Sequence, residues 1–113
     1  MSRLDDPLTL KSGVVLPHRV ALAPLTNCQS NPDGTLHDDE FAWLTRRAGA
    51  FSLVSTCAAF VSEEGHAWKG QLGIAGDHHL PGLTRLAAGH HAAIRKMHDA
   101  IADGIGHSTR HIR

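Results

Sequence analysis

A chain of 113 residues has room for one domain. With 42% hydrophobic and 19% charged residues it is too apolar for a disordered chain, and Lys+Arg (11) balance Asp+Glu (11), which gives no general attraction to nucleic acid or an anionic membrane. Cys28 and Cys57 are too few for a disulfide framework, no apolar run approaches the ~20 residues of a membrane span, and the first residues lack the apolar core of a secretory signal. The composition fits a cytoplasmic location.

In chain order, Leu8–Leu10 and Val14–Leu16 flank Lys11-Ser12-Gly13 and predict a β-hairpin. Arg19–Leu25 is a short apolar run closed by Pro24, a buried strand ending near Ala23-Pro24. Thr26–Gly34 is made of turn formers and predicts a loop. Thr35 and Asp38 have the spacing of a capping box, and Asp38-Asp39-Glu40 suits the positive end of a helix. Phe41, Leu44 and Ala48 repeat on one helical face before Gly49. Phe51–Thr56 then reads as a second strand, and strand, helix, strand is a βαβ unit with parallel pairing.

Cys57–Gly76 contains four glycines and little periodicity, so it reads as a long loop. From Leu83, the positions Leu86, Ala87, Ile94, Met97 and Ile101 trace one face of a second helix, as far as Asp103-Gly104. Ile105–Arg113 has no clear pattern. Seven of the ten histidines lie at or beyond His78.

The two strand ends carry the local signal for function. Ala23-Pro24-Leu25-Thr26-Asn27 and Thr56-Cys57-Ala58-Ala59 are small or hydroxylic, and ligands of parallel α/β structures bind at carboxyl ends of strands. A flat heteroaromatic ring could lie there. Either segment alone is equally an ordinary strand-ending turn that permits close packing.

Read together, Leu-Asp-Asp-Pro-Leu-Thr-Leu, Arg-Val-Ala-Leu-Ala-Pro-Leu-Thr-Asn, Asp-Gly-Thr-Leu-His-Asp-Asp-Glu, Thr-Arg-Arg-Ala-Gly and Ser-Thr-Cys-Ala-Ala follow one another in a recognisable order. Gly-Gln-Leu-Gly-Ile at 70–74 and Leu-Pro-Gly-Leu-Thr-Arg-Leu-Ala-Ala at 80–88 continue it. In this order the chain resembles the amino-terminal part of the old yellow enzyme family of NADH:flavin oxidoreductases, the ene-reductases, over residues 4 to about 88.

The resemblance implies an α/β fold, the first part of a (β/α)8 barrel, with the hairpin at its amino-terminal end. It implies FMN at the carboxyl ends of the strands, NADH or NADPH as reductant, and an activated alkene as the small-molecule substrate. Residue by residue, Ala23, Pro24, Leu25 and Thr26 match the segment against the flavin ring, and Ala58 matches the small residue facing it from the second strand. Cys28 matches, more loosely, a position lining the substrate site. Trp68 falls in the family's loop over the barrel mouth.

After Ala88 the pattern departs. The family continues with a third strand and a Gln-Leu-x-His stretch, whereas this chain reads Gly89-His90-His91-Ala92. The expected catalytic residues and the phosphate-binding arginine fall beyond the matching part. This divides the chain into residues 1–88, an FMN-barrel portion, and 89–113, a divergent histidine-rich tail, as in a truncated or frame-shifted product. A rival reading is a small non-catalytic module that self-associates through unpaired strand edges or uses its long helix as an interaction face.

Other features have plainer readings. His107 and His111 have a metal-ligand spacing, but Gly104 and Gly106 weaken any helix there, and no acidic residue or cysteine lies between Gly104 and Arg113. No metal site is expected. His90 and His91 read as partly exposed helix residues, Trp43 as a packed residue, and Arg46-Arg47 as partners of a helix C-terminus.

Overall fold

A computed structural model describes residues 3–105, and the side chains of residues 3–95. The element order is β1 (Leu8–Thr9), β2 (Val15–Leu16), β3 (Ala21–Leu22), α1 (Asp38–Arg47), β4 (Leu53–Val54), β5 (Ala59–Phe60), β6 (Leu72–Gly73) and α2 (Leu80–Ile105). Single 3-10 turns occupy Glu63–Gly65 and Asp77–His79.

The hairpin forms as its sequence dictates. β1 and β2 pair antiparallel, Leu8 with Leu16 and Thr9 with Val15. Gly13 closes the turn with a φ of 93°, a left-handed value that costs glycine nothing. β3 and β4 pair parallel, Ala21 with Leu53 and Leu22 with Val54, bridged by α1. Both strands are shorter than their apolar runs: Pro24 has no N–H to extend the ladder, and only two residues of each run pair.

The start of α1 differs from the capping-box expectation. His37 is the N-cap, its Nδ1 accepting from the backbone N–H of Asp39 at 3.0 Å. Thr35 is engaged elsewhere: its hydroxyl donates to Asp33 at 2.6 Å and accepts from Asn31 at 2.9 Å. A local Asx-type turn therefore outcompetes the cap. The Thr35 bonds also hold the Asp33 carboxyl below its ordinary 3.8.

The segment expected as one long loop holds a parallel pair, β5 with β6, Ala59 opposite Leu72 and Phe60 opposite Gly73. Leu72 and Phe60 are buried there, and His79 is buried beside them. Helix α2 begins at Leu80, three residues before its periodic face, with Pro81 in its first turn where the missing N–H is harmless. It runs unbroken through Ala88 and Gly89. His107 and His111 lie outside the described residues.

The two helices pack closely because two glycines of α2 meet the α1 region. A Cβ on Gly89 would sit 2.5 Å from the Phe41 ring, and one on Gly82 would sit 2.8 Å from Leu36 Cβ. Arg85 lies over the Phe41 ring and pairs with Asp38 at 2.7 Å. Leu44, Ala48 and Leu86 are buried, as the helical periodicity requires. A cleft of about 290 Å³ remains between α1, β4 and α2, lined by Leu44, Val54, Leu83, Leu86 and His90. His90, desolvated there and facing the charge of His91, has its pKa held below the ordinary 6.5.

Candidate functional site

The carboxyl ends of β3 and β4 are brought side by side by backbone bonds. The N–H of Ser55 donates to Leu22 O, and that of Ala58 to Leu25 O, each at 3.3 Å. Beyond β3, residues 23–29 form neither helix nor strand. Ala23, Pro24, Leu25, Thr26 and Ala58 are all exposed. The five residues singled out for a ring thus share one edge of the molecule, with small side chains at four of the five positions.

Beneath that edge lies a buried polar network. Asn27 donates through Nδ2 to Cys57 Sγ at 2.7 Å and to Gln29 Oε1 at 3.2 Å. Ser30 Oγ donates to Glu40 Oε2, and the Glu40 charge acts on the Cys57 thiol. Glu40 is fully buried, although it stands in the first turn of α1 beside two exposed aspartates. Glu40 Oε1 and Asn27 Oδ1 are buried without a hydrogen-bond partner. Burial, reinforced by the neighbouring Glu40, pushes the Cys57 thiol up to about 11. Cys57 is therefore no nucleophile near neutrality.

The loop after β5 is strapped to the same segment. Trp68 donates its indole N–H to Asn27 O at 2.7 Å, and Ser30 N–H donates to Gly70 O at 2.9 Å. Gly70 lies against the Cys28 backbone, where a Cβ would be 2.4 Å from the carbonyl oxygen. The Cys28 side chain is exposed. Sequence reasoning picked out Thr26, Ala58 and Trp68 but missed Glu40, Ser30 and Asn27. An Asp-Asp-Glu run looks alike whether its third member faces solvent or core.

Glu63, His78 and His79 place potential ligand atoms within 4.8 Å of one another. His79 has no free nitrogen to offer: Nδ1 accepts from Ala75 and Gly76 N–H, each at 3.1 Å, and Nε2 faces Asp33 O at 3.0 Å. Its ring is a structural knot.

Residues 3–102 match the model of the NADH:flavin oxidoreductase / NADH oxidase family. The chain belongs to that family. It is 40% identical over 84 residues to a probable NADH-dependent flavin oxidoreductase, YqiG, of Bacillus subtilis, an alignment covering 74% of this chain and 23% of that protein. An NADH:acrylate oxidoreductase of Vibrio harveyi is 34% identical over 87 residues, covering 77% of this chain and 9% of its own length. Among solved structures, morphinone reductase in complex with tetrahydroNAD superposes with a TM-score of 0.74 at 28% identity, over 82% of this chain and 25% of its own. The old yellow enzyme homologue of Zymomonas mobilis, at 23% identity and a TM-score of 0.72, shows the shared fold alone.

The chain thus spans about a quarter of YqiG and of morphinone reductase. Its hairpin and βαβα order are the amino-terminal portion of a (β/α)8 barrel. Among the described residues the parallel sheets are two-stranded and no barrel closes.

Proposed function

We propose that this chain supplies one wall of an FMN site in an oxidoreductase of the old yellow enzyme type, which uses NADH or NADPH to reduce an activated alkene. The observation that carries this is the Ala58 N–H bond to Leu25 O, which joins the two strand ends into one exposed ledge. FMN, when bound, accepts a hydride from the nicotinamide and passes it on.

The residues fit the ring and not the phosphate. Ala23, Pro24 and Ala58 offer a surface without bulk, and Leu25 is 49% exposed and gives it an apolar patch. Thr26 presents a hydroxyl with no protein partner among the described bonds, free to donate to a ring carbonyl or nitrogen. A fixed donor at that edge favours the electron-rich reduced ring. Cys28, exposed two residues on, would line the substrate side. None of the five ledge residues carries a positive charge for the phosphate; Arg19, the basic residue nearest in sequence, donates to Pro7 O at 3.2 Å.

Among the described residues no helix is long and apolar enough to cross a membrane. Titrating the purified chain with FMN and following flavin fluorescence and absorbance tests the reading. Saturable quenching weakened by Thr26→Val supports it, and no uptake at high FMN refutes it for this chain.

A second reading has its own observation. Val20 and Leu53, on or beside the two-stranded β3–β4 pair, are 39% and 52% exposed. An apolar parallel pair with open edges favours association. Native mass spectrometry of a colourless chain that populates dimers or larger species would favour that module over the flavoprotein.

A further inference from the structure

We propose that Asn27 is the positioning residue of the ledge: its side-chain amide, bonded to Cys57 Sγ, holds Thr26 in line with Ala58. The purpose of that alignment rests on the flavin reading, and its test does not.

Among the described residues Thr26 makes no hydrogen bond of its own, so its place is set by its neighbours. On one side of it, Leu25 O accepts from the Ala58 N–H at 3.3 Å. On the other, Asn27 Nδ2 donates to Cys57 Sγ at 2.7 Å. Cys57 and Ala58, consecutive residues after β4, therefore grip the two residues that flank Thr26. The first grip is backbone only, and at 3.3 Å it is a long hydrogen bond. Alone it would leave a hinge about which Thr26 could turn. The second grip removes that rotation, and it depends on the side chain at position 27.

The amide is itself held from two sides. Nδ2 also donates to Gln29 Oε1 at 3.2 Å, which uses both of its hydrogens. Asn27 O accepts the Trp68 indole N–H at 2.7 Å, so the loop after β5 braces the same residue through its backbone. The residue type is informative as well. Asn27 Oδ1 is buried with no partner, a cost that an apolar side chain would avoid. An aspartate of the same shape has no donor for the sulfur or for Gln29. Asparagine supplies two donors from one planar group, and those donors tie the turn after β3 to the end of β4.

Backbone amides of the intact chain report on this by NMR, with Asn27→Leu, Cys57→Ala and Cys57→Ser compared. Asn27→Leu keeps the branching and removes both donors, Cys57→Ala removes the acceptor, and Cys57→Ser restores one. Expected in the first two are roughly tenfold faster exchange of the Ala58 amide and a displaced Thr26 amide resonance, with Cys57→Ser near wild type. The Ser52 amide donates to Val20 O at 2.9 Å at the amino-terminal end of the same strand pair, and the Leu10 amide donates to Val14 O at 2.7 Å in the hairpin. Both should keep their wild-type rates. Unchanged Ala58 and Thr26 amides in Cys57→Ala, a Cys57→Ser variant no nearer to wild type than Cys57→Ala, or a Ser52 amide accelerated as much as that of Ala58 overturns the proposal, even where Asn27→Leu fails to fold. A parallel FMN titration separates the two claims: wild type that takes up no FMN sinks the flavin reading while the amide result still decides the role of Asn27.

Discussion

The Nε2 atom of His79 faces the Asp33 carbonyl at 3.0 Å, and its Nδ1 accepts two backbone N–H groups from Ala75 and Gly76. One ring thereby joins the loop before α1 to the turn before α2. It also packs edge-on against Phe60, with centroids 5.4 Å apart. Replacing it by alanine leaves three backbone groups unpaired and opens a cavity, for a loss of roughly 3 kcal/mol. Urea denaturation of His79→Ala checks this. A shift within the error of the wild-type curve contradicts it.

Gly70 has a φ of 87° and no room for a side chain against Cys28. Gly70→Ala is expected to destabilise by about 1–3 kcal/mol, since the neighbouring atoms are backbone and cannot swing away. The same exchange at Gly13, with φ of 93° and nothing within 4 Å, should cost only the conformational strain. Thermal melts of the two variants rank them, Gly70→Ala below Gly13→Ala.

The two cysteines should differ in reactivity. At neutral pH an exposed Cys28 reacts with a chromogenic disulfide and the buried Cys57 does not. Because the folded-state pKa of Cys57 rises from 9.0 to about 11, its contribution to stability is complete below pH 9 and is lost as the pH rises through 11. Rapid titration of both thiols at pH 7 under native conditions would count against the fold at this point.

His90 carries the opposite sign. Its folded-state pKa lies below 6.5, so its contribution is present above that pH and is lost as the pH falls through the depressed value. Desolvation in the cleft is the larger cause and the charge of His91 the smaller. NMR titration should therefore place the His90 midpoint below 6.5, and His91→Ala should restore only a minor part of the shift.

For activity the expectation is negative. A polypeptide of these 113 residues with excess FMN, NADPH and a simple enone should show no turnover above background, because the proposed ring ledge comes without a phosphate anchor or a positioned general acid. Turnover that scales with protein and is lost in Thr26→Val would overturn this.

Local chemistry made some of the fold legible. Gly13 requires its turn, and the spacing of Phe41 and Leu44 requires α1, because each signal acts within a few residues. The β3–β4 pairing was legible from two apolar runs flanking that helix. The β5–β6 pair was not, since Ala59-Phe60 and Leu72-Gly73 are too short to show alternation and are strands only through each other. The capping of α1 was misread because Thr35 has two possible partners, and Asp33 is nearer than the helix.

For the site, residue type was readable and connection was not. Thr26 and Ala58 stood out as small groups at strand ends, a local property. Glu40 did not, because its burial is decided by α1 packing over Cys57 and Ser30, which no spacing in the sequence encodes.

The bond between Ala58 and Leu25 involves no side chain. Every residue except proline carries the N–H that forms it. The group presented at position 58 can therefore be exchanged while the ledge keeps its shape. The chemistry that a ring would meet there and the geometry that brings it into place are set by different atoms of one residue. A lineage could change the first many times over without disturbing the second.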